Sequence, residues 1–177
     1  MFEFRVEGAY DAEKLLTANW PTCAVTVIQR GAEWQSWGPN HLVVPMSDVG
    51  DPKASPDAPT IQHLAAILAH TVNLTSADRL MVNCWLGQSR SSAVAVAILM
   101  QHGMTTEEAF EAVLEQRPVA VPNVLICKHI DSYFGTKDCE TMAKAHLRKE
   151  LSSIKKAPEG KPTAKEVDDM KKWLSNL

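Results

Sequence analysis

The stretch from Arg79 to Met100 constrains the fold of this chain more than any other part of the sequence. Its first residues, Leu80 to Val82, form a short apolar run of the kind that a buried strand shows. Its last residues, Ala93 to Met100, are small and apolar and predict a buried helix. The residues between them begin with a cysteine, have a glycine in the middle and end in Ser-Arg-Ser. The stretch therefore predicts a strand that turns tightly into a helix.

A turn of this kind can bind a phosphate group. Backbone N–H groups at the start of a helix have no partner within the helix, and the helix dipole adds partial positive charge there. Gly87 can adopt the backbone angles that an anion-binding loop needs. Arg90 would present a planar set of donors to two phosphate oxygens. The residues expected to bind the phosphate are Trp85, Leu86, Gly87, Gln88, Ser89 and Arg90.

Cys84 stands at the edge of the same turn and is the candidate nucleophile. Cysteines at helix N-termini can have a pKa of roughly 3.5–7.5, so the thiolate would dominate at neutral pH. A nucleophile, an anion-binding loop and a bidentate cation within one turn indicate phosphoryl transfer through cysteine. Two other interpretations remain open. One is a buried structural cysteine with a surface arginine, and the other is a rhodanese-like sulfur transferase, which a thiosulfate assay would detect.

The run Cys-Trp-Leu-Gly-Gln-Ser-Arg-Ser from Cys84 to Ser91 resembles the signature loop of the cysteine-based protein tyrosine phosphatases. The resemblance is strongest to their compact dual-specificity branch, particularly its small bacterial and phage members. That family usually has a histidine before the cysteine, which helps to hold the loop and to tune the thiol. This chain has Asn83 there. The alternative to an active enzyme is therefore a catalytically weak phosphate-binding module, a pseudophosphatase.

The resemblance also implies a general acid on a loop that closes over the pocket, because an alkoxide or phenoxide leaves poorly without a proton. The loop that follows the predicted strand at 41–46 contains Asp48, Asp51 and Asp57. Residues just beyond the carboxyl end of a parallel strand line the same crevice as the signature loop. Asp48 lies nearest that end and matches the family's acid, and Asp51 is the second candidate.

A second motif lies downstream of the signature loop. Arg117-Pro-Val-Ala-Val-Pro-Asn123 resembles the dual-specificity pattern Arg-Pro-x-x-x-Pro-Asn, which opens the last helix of that domain. The resemblance implies that the side chain of Asn123 braces the signature loop by hydrogen bonding. The two motifs and Asp48 extend the resemblance over about residues 23–135.

The mechanism that the resemblance implies needs no metal and no cofactor. Cys84 attacks phosphorus, Asp48 protonates the leaving oxygen, and water then hydrolyses the phospho-cysteine while the Ser91 hydroxyl eases departure of the thiolate. The signature loop contains no lysine, which favours a phosphoprotein or phosphopeptide over a phosphoinositide or an RNA end. Trp85 could pack against an aryl ring, so phosphotyrosine is favoured over phosphoserine or phosphothreonine, with dual specificity still open.

The composition of the chain is that of a soluble globular protein. The 177 residues predict one domain with a core of its own, and the net charge of −3 gives no support to a nucleic-acid or anionic-membrane binder. No run approaches the ~20 apolar residues of a membrane span, and the N-terminus lacks the pattern of a signal peptide. Four cysteines without paired spacing indicate neither a metal site nor a disulfide framework, which predicts a reducing, cytoplasmic location.

The order of the predicted elements indicates an α/β fold with a central, mostly parallel sheet flanked by helices and a phosphatase-type P-loop between a strand and a helix. We expect Asp11 to cap the first helix and Pro122 to begin the helix that ends at Phe134. Thr105 and Glu108 form the pattern of a capping box. The predicted elements are strands at 2–6, 23–28, 41–46 and 80–82, and helices at 11–18, 60–72, 93–100, 105–114, 122–134 and 142–154.

The apolar density falls and lysine rises after residue 136. We therefore expect a phosphatase domain over residues 1–136 and a helical C-terminal extension over 137–177. The spacing of apolar residues in 163–177 predicts an amphipathic helix. It would dock on the domain of its own chain or serve as a contact for a homodimer or a partner.

Overall fold

The computed structural model describes residues 1–155, without the side chains of 154 and 155. Four strands form one sheet in the order β1-β4-β2-β3, and every neighbouring pair is parallel. The α/β fold with a central parallel sheet flanked by helices is therefore confirmed. The strands are β1 (Glu3–Glu7), β2 (Cys23–Ile28), β3 (His41–Pro45) and β4 (Arg79–Asn83). The helices are α1 (Ala9–Thr17), α2 (Ile61–Thr71), α3 (Arg90–Gln101), α4 (Thr106–Gln116), α5 (Val124–Phe134) and α6 (Cys139–Lys155).

Both faces of the sheet are covered, and the two central strands, β2 and β4, are buried on both faces along most of their length. On one face, Val25, Val27 and Val82 join the large core that α2 to α6 complete. On the other face, Ala24 and Met81 meet α1 in a small second cluster. The helix α3 is buried from its first residue to Leu99, as its small apolar composition predicts.

Side chains that cap helix N-termini explain where three of the helices begin. Thr60 and Thr105 each accept a hydrogen bond from the backbone N–H three residues on, and the Thr105–Glu108 capping box is present as predicted. Asn123 caps α5, so that helix begins at Val124 rather than at Pro122. The prediction for α1 was wrong, because its cap position is Gly8 and Asp11 lies inside the first turn.

The helix α6 packs on the rest of the protein in this structure. Cys139 and Ala143 are buried in the main core. The Asp131 carboxylate of α5 accepts hydrogen bonds from the Cys139 and Glu140 N–H groups at the start of α6, at 3.1 and 2.9 Å. The predicted helix in 163–177 lies outside the described residues, and the division at residue 136 stays a prediction.

None of the helices within residues 1–155 is long and apolar enough to cross a membrane. That part of the chain also contains no cluster of three His, Cys, Asp or Glu residues that could hold a metal ion.

Candidate active site

The carboxyl ends of the parallel strands bring the predicted site residues to one edge of the sheet. β4 ends at Asn83, and Cys84 follows it directly. The loop after β3 brings Asp48 to the same edge, and the chain leaving β1 at Glu7 packs against the turn after Cys84. A sheet of this kind binds ligands outside the carboxyl ends of its strands. Cys84 and Asp48 therefore lie together at this edge of the sheet.

The turn from Trp85 to Ser89 has the backbone polarity of an anion-binding loop. All five carbonyl oxygens accept hydrogen bonds from groups outside the turn or from the first turn of α3. The donors are Ala9 N–H to Trp85 O, Arg117 to Leu86 O and Gly87 O, Val121 N–H and Ser92 hydroxyl to Gln88 O, and Asn123 N–H, Ala93 N–H and Ser92 hydroxyl to Ser89 O. Within residues 1–155, by contrast, the N–H groups of 85–89 have no protein acceptor. The turn thus keeps free donors for a ligand and no free carbonyl oxygen to repel an anion.

Arg117 holds the outer side of this turn. Its Nη2 lies 3.2 Å from Leu86 O and its Nε lies 3.3 Å from Gly87 O, while its Nη1 pairs with the Glu7 carboxylate at 3.5 Å. Burial raises the pKa of Glu7, and the attraction of Arg117 partly opposes that effect. These contacts of Arg117 were not predicted from the sequence, where the residue stands only as part of the Arg-Pro-x-x-x-Pro-Asn motif. An arginine directly before a proline at the end of a helix is the one local pattern that could have indicated them.

Any residue larger than glycine at position 87 would be strained in its backbone conformation and would clash with a neighbouring segment. Its φ is +69°, which is the left-handed region that favours glycine. A Cβ at this position would lie 2.7 Å from the carbonyl oxygen of Glu7, and closer still to the peptide bond that joins Glu7 to Gly8. The turn and the end of β1 can therefore approach each other only through a glycine.

Cys84 and Ser91 lie beside each other at the base of the turn. The Cys84 Sγ atom is 3.1 Å from the Ser91 Oγ atom, and Cys84 is only 2% exposed. Cys84 nevertheless lines an open cleft of about 570 Å³, together with Asp48, Trp85, Ser89 and Arg90. The thiol is therefore shielded from bulk water but reachable by a ligand that enters the cleft.

The other three cysteines are buried and offer no comparable site. Burial raises the pKa of Cys23 to about 11, and the nearby Asp78 carboxylate adds to the effect. A hydrogen bond with Cys139 raises the pKa of Cys127 well above its usual value, and complete burial raises it further. The raised pKa values of Cys23 and Cys127 keep these two thiols protonated at neutral pH, as expected of packing residues.

Arg90 is 6% exposed and enters the site from the start of α3. Its Nη1 donates to the Met46 carbonyl oxygen at 2.8 Å. Its Nε lies 3.4 Å from the Asp48 Oδ2 atom, which is an ion-pair distance, and it makes no hydrogen bond within the described chain. A buried guanidinium with an unused N–H is ready to bind an oxyanion.

Of the three aspartates in the loop after β3, only Asp48 meets the signature loop. Its Oδ1 accepts from the Ser89 hydroxyl at 2.6 Å and from Asn123 Nδ2 at 2.9 Å. Asp51 is exposed, and Asp57 pairs with Arg30 at 2.7 Å. The geometry therefore brings Asp48 to the cleft and keeps Asp51 away from it.

Asn123 connects the two loops, but differently from the predicted contact. Its side chain donates to Asp48 and to the Val49 carbonyl oxygen, and its Oδ1 accepts from the Ile126 N–H. It is the backbone N–H of Asn123 that donates to Ser89 O, at 3.2 Å. The side chain thus positions the aspartate loop, while the main chain braces the signature loop.

Asn83, which stands where the family usually has histidine, is buried and hydrogen-bonded. The Thr26 hydroxyl donates to Asn83 Oδ1 at 2.7 Å and lies 2.7 Å from His41 Nε2. His41 Nδ1 accepts a hydrogen bond from the Trp37 N–H, so the ring proton is on Nε2. The Nε2–H therefore donates to the Thr26 hydroxyl oxygen. Burial lowers the pKa of His41, with a smaller effect from the nearby His70. This chain of hydrogen bonds, which the sequence analysis did not predict, holds the residue before the candidate nucleophile.

Comparisons with known proteins bear on the fold and the family. No model of a known protein family matches the chain. Human dual specificity phosphatase 28 is 31% identical over 127 residues, which cover 71% of this chain and 69% of the relative. Dual specificity protein phosphatase 1 of Arabidopsis thaliana is 50% identical over 44 residues, but these span only 22% of its length and 24% of this chain. The crystal structure of human DUSP28 matches with a TM-score of 0.57 at 27% identity, covering 80% of this chain and 94% of that one.

Proposed function

Because the chain belongs to the dual-specificity phosphatase family, we propose that it hydrolyses phosphomonoesters of phosphoproteins through a phospho-cysteine on Cys84. The observation that carries the proposal is the polarity of the turn from Trp85 to Ser89. Its carbonyl oxygens are all bonded outward, and its N–H groups and Arg90 Nε have no acceptor among the described residues. Such a set of donors fits the three equatorial oxygens of a phosphoryl group.

The first chemical step would transfer the phosphoryl group to sulfur. The Cys84 thiolate attacks phosphorus in line, an S–P bond forms, and the P–O bond to the leaving group breaks. The N–H groups of residues 85–89 and the Arg90 guanidinium hold the charge of the equatorial oxygens. Asp48, protonated, gives its proton to the leaving oxygen.

The second step would return the enzyme to its starting state. Water attacks phosphorus, Asp48 accepts a proton from it, and the S–P bond breaks to release inorganic phosphate. The Ser91 hydroxyl, 3.1 Å from sulfur, donates a hydrogen bond to the departing thiolate. Asn123 acts as a positioning residue, because its side chain holds Asp48.

The Asp48 contacts imply that substrate binding rearranges the site. Without a ligand, the carboxylate faces Ser89 and Arg90, which are donors that the phosphoryl group would use. The phosphoryl oxygens and the Asp48 carboxyl group cannot occupy the same donors at the same time. Asp48 would therefore turn toward the leaving oxygen when phosphate binds.

Phosphotyrosine is the substrate that we favour, with dual specificity open. Trp85 is 69% exposed at the mouth of the cleft and offers a ring face to an aryl group. The cytoplasmic location, the place among small bacterial or phage members, and the homodimer or partner contact through 163–177 stay predictions. So does the absence of nucleic-acid and membrane partners.

The test is hydrolysis of a small aryl phosphate by the wild type beside Cys84→Ser. We expect turnover by the wild type, block by vanadate, and none by the variant, whose circular dichroism should be unchanged. A wild type that binds phosphopeptide without turnover would instead indicate the pseudophosphatase. Turnover retained in Cys84→Ser would contradict the proposed nucleophile.

A further inference from the structure

A second concave surface lies beside the candidate active site. It measures about 920 Å³ and runs between α1 and the loop after β2. Four aromatic side chains line it, and we call it the aromatic groove: Tyr10, Trp34, Trp37 and Trp85. Trp85 also lines the catalytic cleft, so the two cavities meet at this ring. A ligand that fills the cleft can therefore continue into the groove without leaving the surface.

The ionisable side chains of the groove, apart from the Tyr10 phenol, are acidic. Glu13 of α1 and Glu33 of the opposite loop both line it and are exposed. Neither forms an ion pair with a cation of the described chain. Lys14 lies beside the groove, with its Nζ 3.9 Å from the centroid of the Tyr10 ring. Lys14 is paired with Asp11 at 3.1 Å and does not line the groove.

Aromatic rings beside unpaired carboxylates favour the binding of a positively charged side chain. Aromatic ring faces attract Lys and Arg, and a guanidinium can stack on a ring while it donates to a carboxylate. An acidic or phosphorylated segment would meet two unpaired carboxylates and be repelled. A neutral apolar segment could pack on the rings but would leave both carboxylates without a partner.

We infer that the aromatic groove binds an arginine or lysine side chain of the phosphoprotein substrate, a few residues from the phosphorylated position. The inference rests on the proposed function, since it assigns the groove to the same substrate that the cleft binds. The phosphoryl group enters the cleft on one side of Trp85, and the basic side chain lies between Glu13 and Glu33 on the other. The substrate class is then a phosphoprotein with a basic residue beside its phosphorylated residue.

The experiment uses phosphotyrosine peptides that differ at one position. An arginine, or the neutral glutamine, is moved through about three residues on each side of the phosphotyrosine, because an extended chain advances about 3.3 Å per residue. Turnover by the full chain is measured as kcat/KM, and binding is measured to Cys84→Ser. Glu13→Gln, Glu33→Gln and the double variant remove the charges. Glu111→Gln, an exposed acid on α4, is the matched control.

We expect an arginine at one or two positions to raise kcat/KM and affinity by about three- to tenfold over glutamine, as exposed cation–π and ion-pair contacts do. The double variant should lose this preference, whereas Glu111→Gln should keep it. Hydrolysis of a small aryl phosphate should be the same in the wild type and all four variants, because that substrate is too small to extend past Trp85 to Glu13 or Glu33.

Two results would overturn the inference: equal binding of arginine and glutamine peptides at every position, or a preference that survives in the double variant. The proposed function fails separately. If the wild type hydrolyses neither aryl phosphate nor peptide, the arginine preference is still measured in the binding assay. Its presence there would support the groove, and its absence would refute it.

Discussion

Arg90 is a buried charged side chain at the candidate active site. Its side chain is buried, and one nitrogen is bonded to the Met46 carbonyl oxygen while another faces Asp48 at 3.4 Å. Burying a cation without full hydrogen bonding is costly, and such a group is retained where a bound anion completes it. The Arg90 Nε–H and the N–H groups of the turn have no acceptor among residues 1–155, and a bound oxyanion could accept from all of them.

Replacement of Arg90 by lysine should therefore remove catalysis while the charge remains. A lysine ammonium lacks the planar fork of the guanidinium, which can bond to Met46 O on one side and present two parallel N–H groups to phosphate oxygens on another. We expect Arg90→Lys to lower kcat/KM for a small aryl phosphate about a hundredfold or more, with little change in the melting temperature. Activity within a few-fold of the wild type would show that the planar guanidinium is not needed.

The two candidate acids can be separated by their dependence on the leaving group. Asp48→Asn should slow esters with poor leaving groups by about a hundredfold or more, and good leaving groups much less, because only the former need a proton. Asp51→Asn is the matched control, since Asp51 is exposed and makes no contact with the signature loop. This substitution should leave the rate unchanged for both classes of ester. Equal slowing of good and poor leaving groups by Asp48→Asn would remove Asp48 from the acid role.

His41 should make the stability of the protein depend on pH. Burial lowers its pKa in the folded state, and the unfolded value is about 6.5. As the pH falls below 6.5, His41 becomes protonated in the unfolded chain but stays neutral in the folded chain. The free energy of unfolding therefore decreases as the pH falls from 6.5 to the lowered pKa of the folded state. Protonation would also cost the hydrogen bond from the Trp37 N–H to Nδ1.

The measurement is the free energy of unfolding by urea at about pH 7.5 and about pH 5.5, in the wild type and in His41→Gln. The loss of stability between the two pH values should be smaller in the variant, since the other titrating groups are common to both. An equal loss in the two proteins would show that His41 does not contribute.

The turn between β4 and α3 is held by other elements rather than by itself. α1 contributes the Ala9 N–H, the end of α4 contributes Arg117, and the chain entering α5 contributes the N–H groups of Val121 and Asn123. Each of these donors takes a carbonyl oxygen of the turn. The C=O and N–H groups of one trans peptide point in opposite directions. A carbonyl oxygen that bonds to a neighbouring element therefore leaves the N–H of the same peptide group on the other side of the turn.

Gly87→Ala tests how tightly the turn must approach the end of β1. The side chain would meet the backbone between Glu7 and Gly8 and would be strained at a φ of +69°. We expect a loss of about 2 kcal/mol or more in the free energy of unfolding, together with loss of activity. Gly135→Ala at the end of α5 is the control, because its φ of +72° carries similar strain but nothing lies within 4 Å. Equal effects of the two substitutions would show that the close approach does not matter.

The sequence predicted the elements of this fold well, because their signals are local. The β-branched run in β2 and the capping box at Thr105 each carry their own structural preference. The contacts of the site were less predictable, since they join segments far apart in the chain. Arg117 reaches the turn across 30 residues, and Thr26 meets Asn83 across 57. The cap of α1 was mistaken because Asp11 has the right chemistry for an N-cap, whereas tertiary packing against the signature turn begins the helix at Ala9.

At the scale of the whole molecule, α6 is packed against the helical layer that supports the site. Cys139 and Ala143 are buried, and His146 lies 2.9 Å from the Ala120 carbonyl oxygen and packs edge-on against Phe110. Ala120 lies in the same connection as Val121, whose N–H binds Gln88 O. Contacts of α6 therefore support the segment that braces the signature turn.

Deletion of residues 139–177 should destabilise the phosphatase unit, because it exposes the apolar surface that α6 covers. We expect a loss on the order of a few kcal/mol in the free energy of unfolding, relative to a chain that lacks only 156–177. Equal stability of the two chains would support the division at residue 136 that the sequence predicts.

The proposed function depends most directly on a covalent intermediate in which the phosphoryl group is bonded to the sulfur of Cys84. The most direct measurement is the mass of the Cys84 peptide after acid quenching of Asp48→Asn with an aryl phosphate that has a good leaving group. The first step then proceeds without an acid, while the second lacks its base, so the account predicts a phosphoryl group on Cys84. Release of inorganic phosphate with an unmodified Cys84, or with the phosphoryl group on another residue, would contradict it.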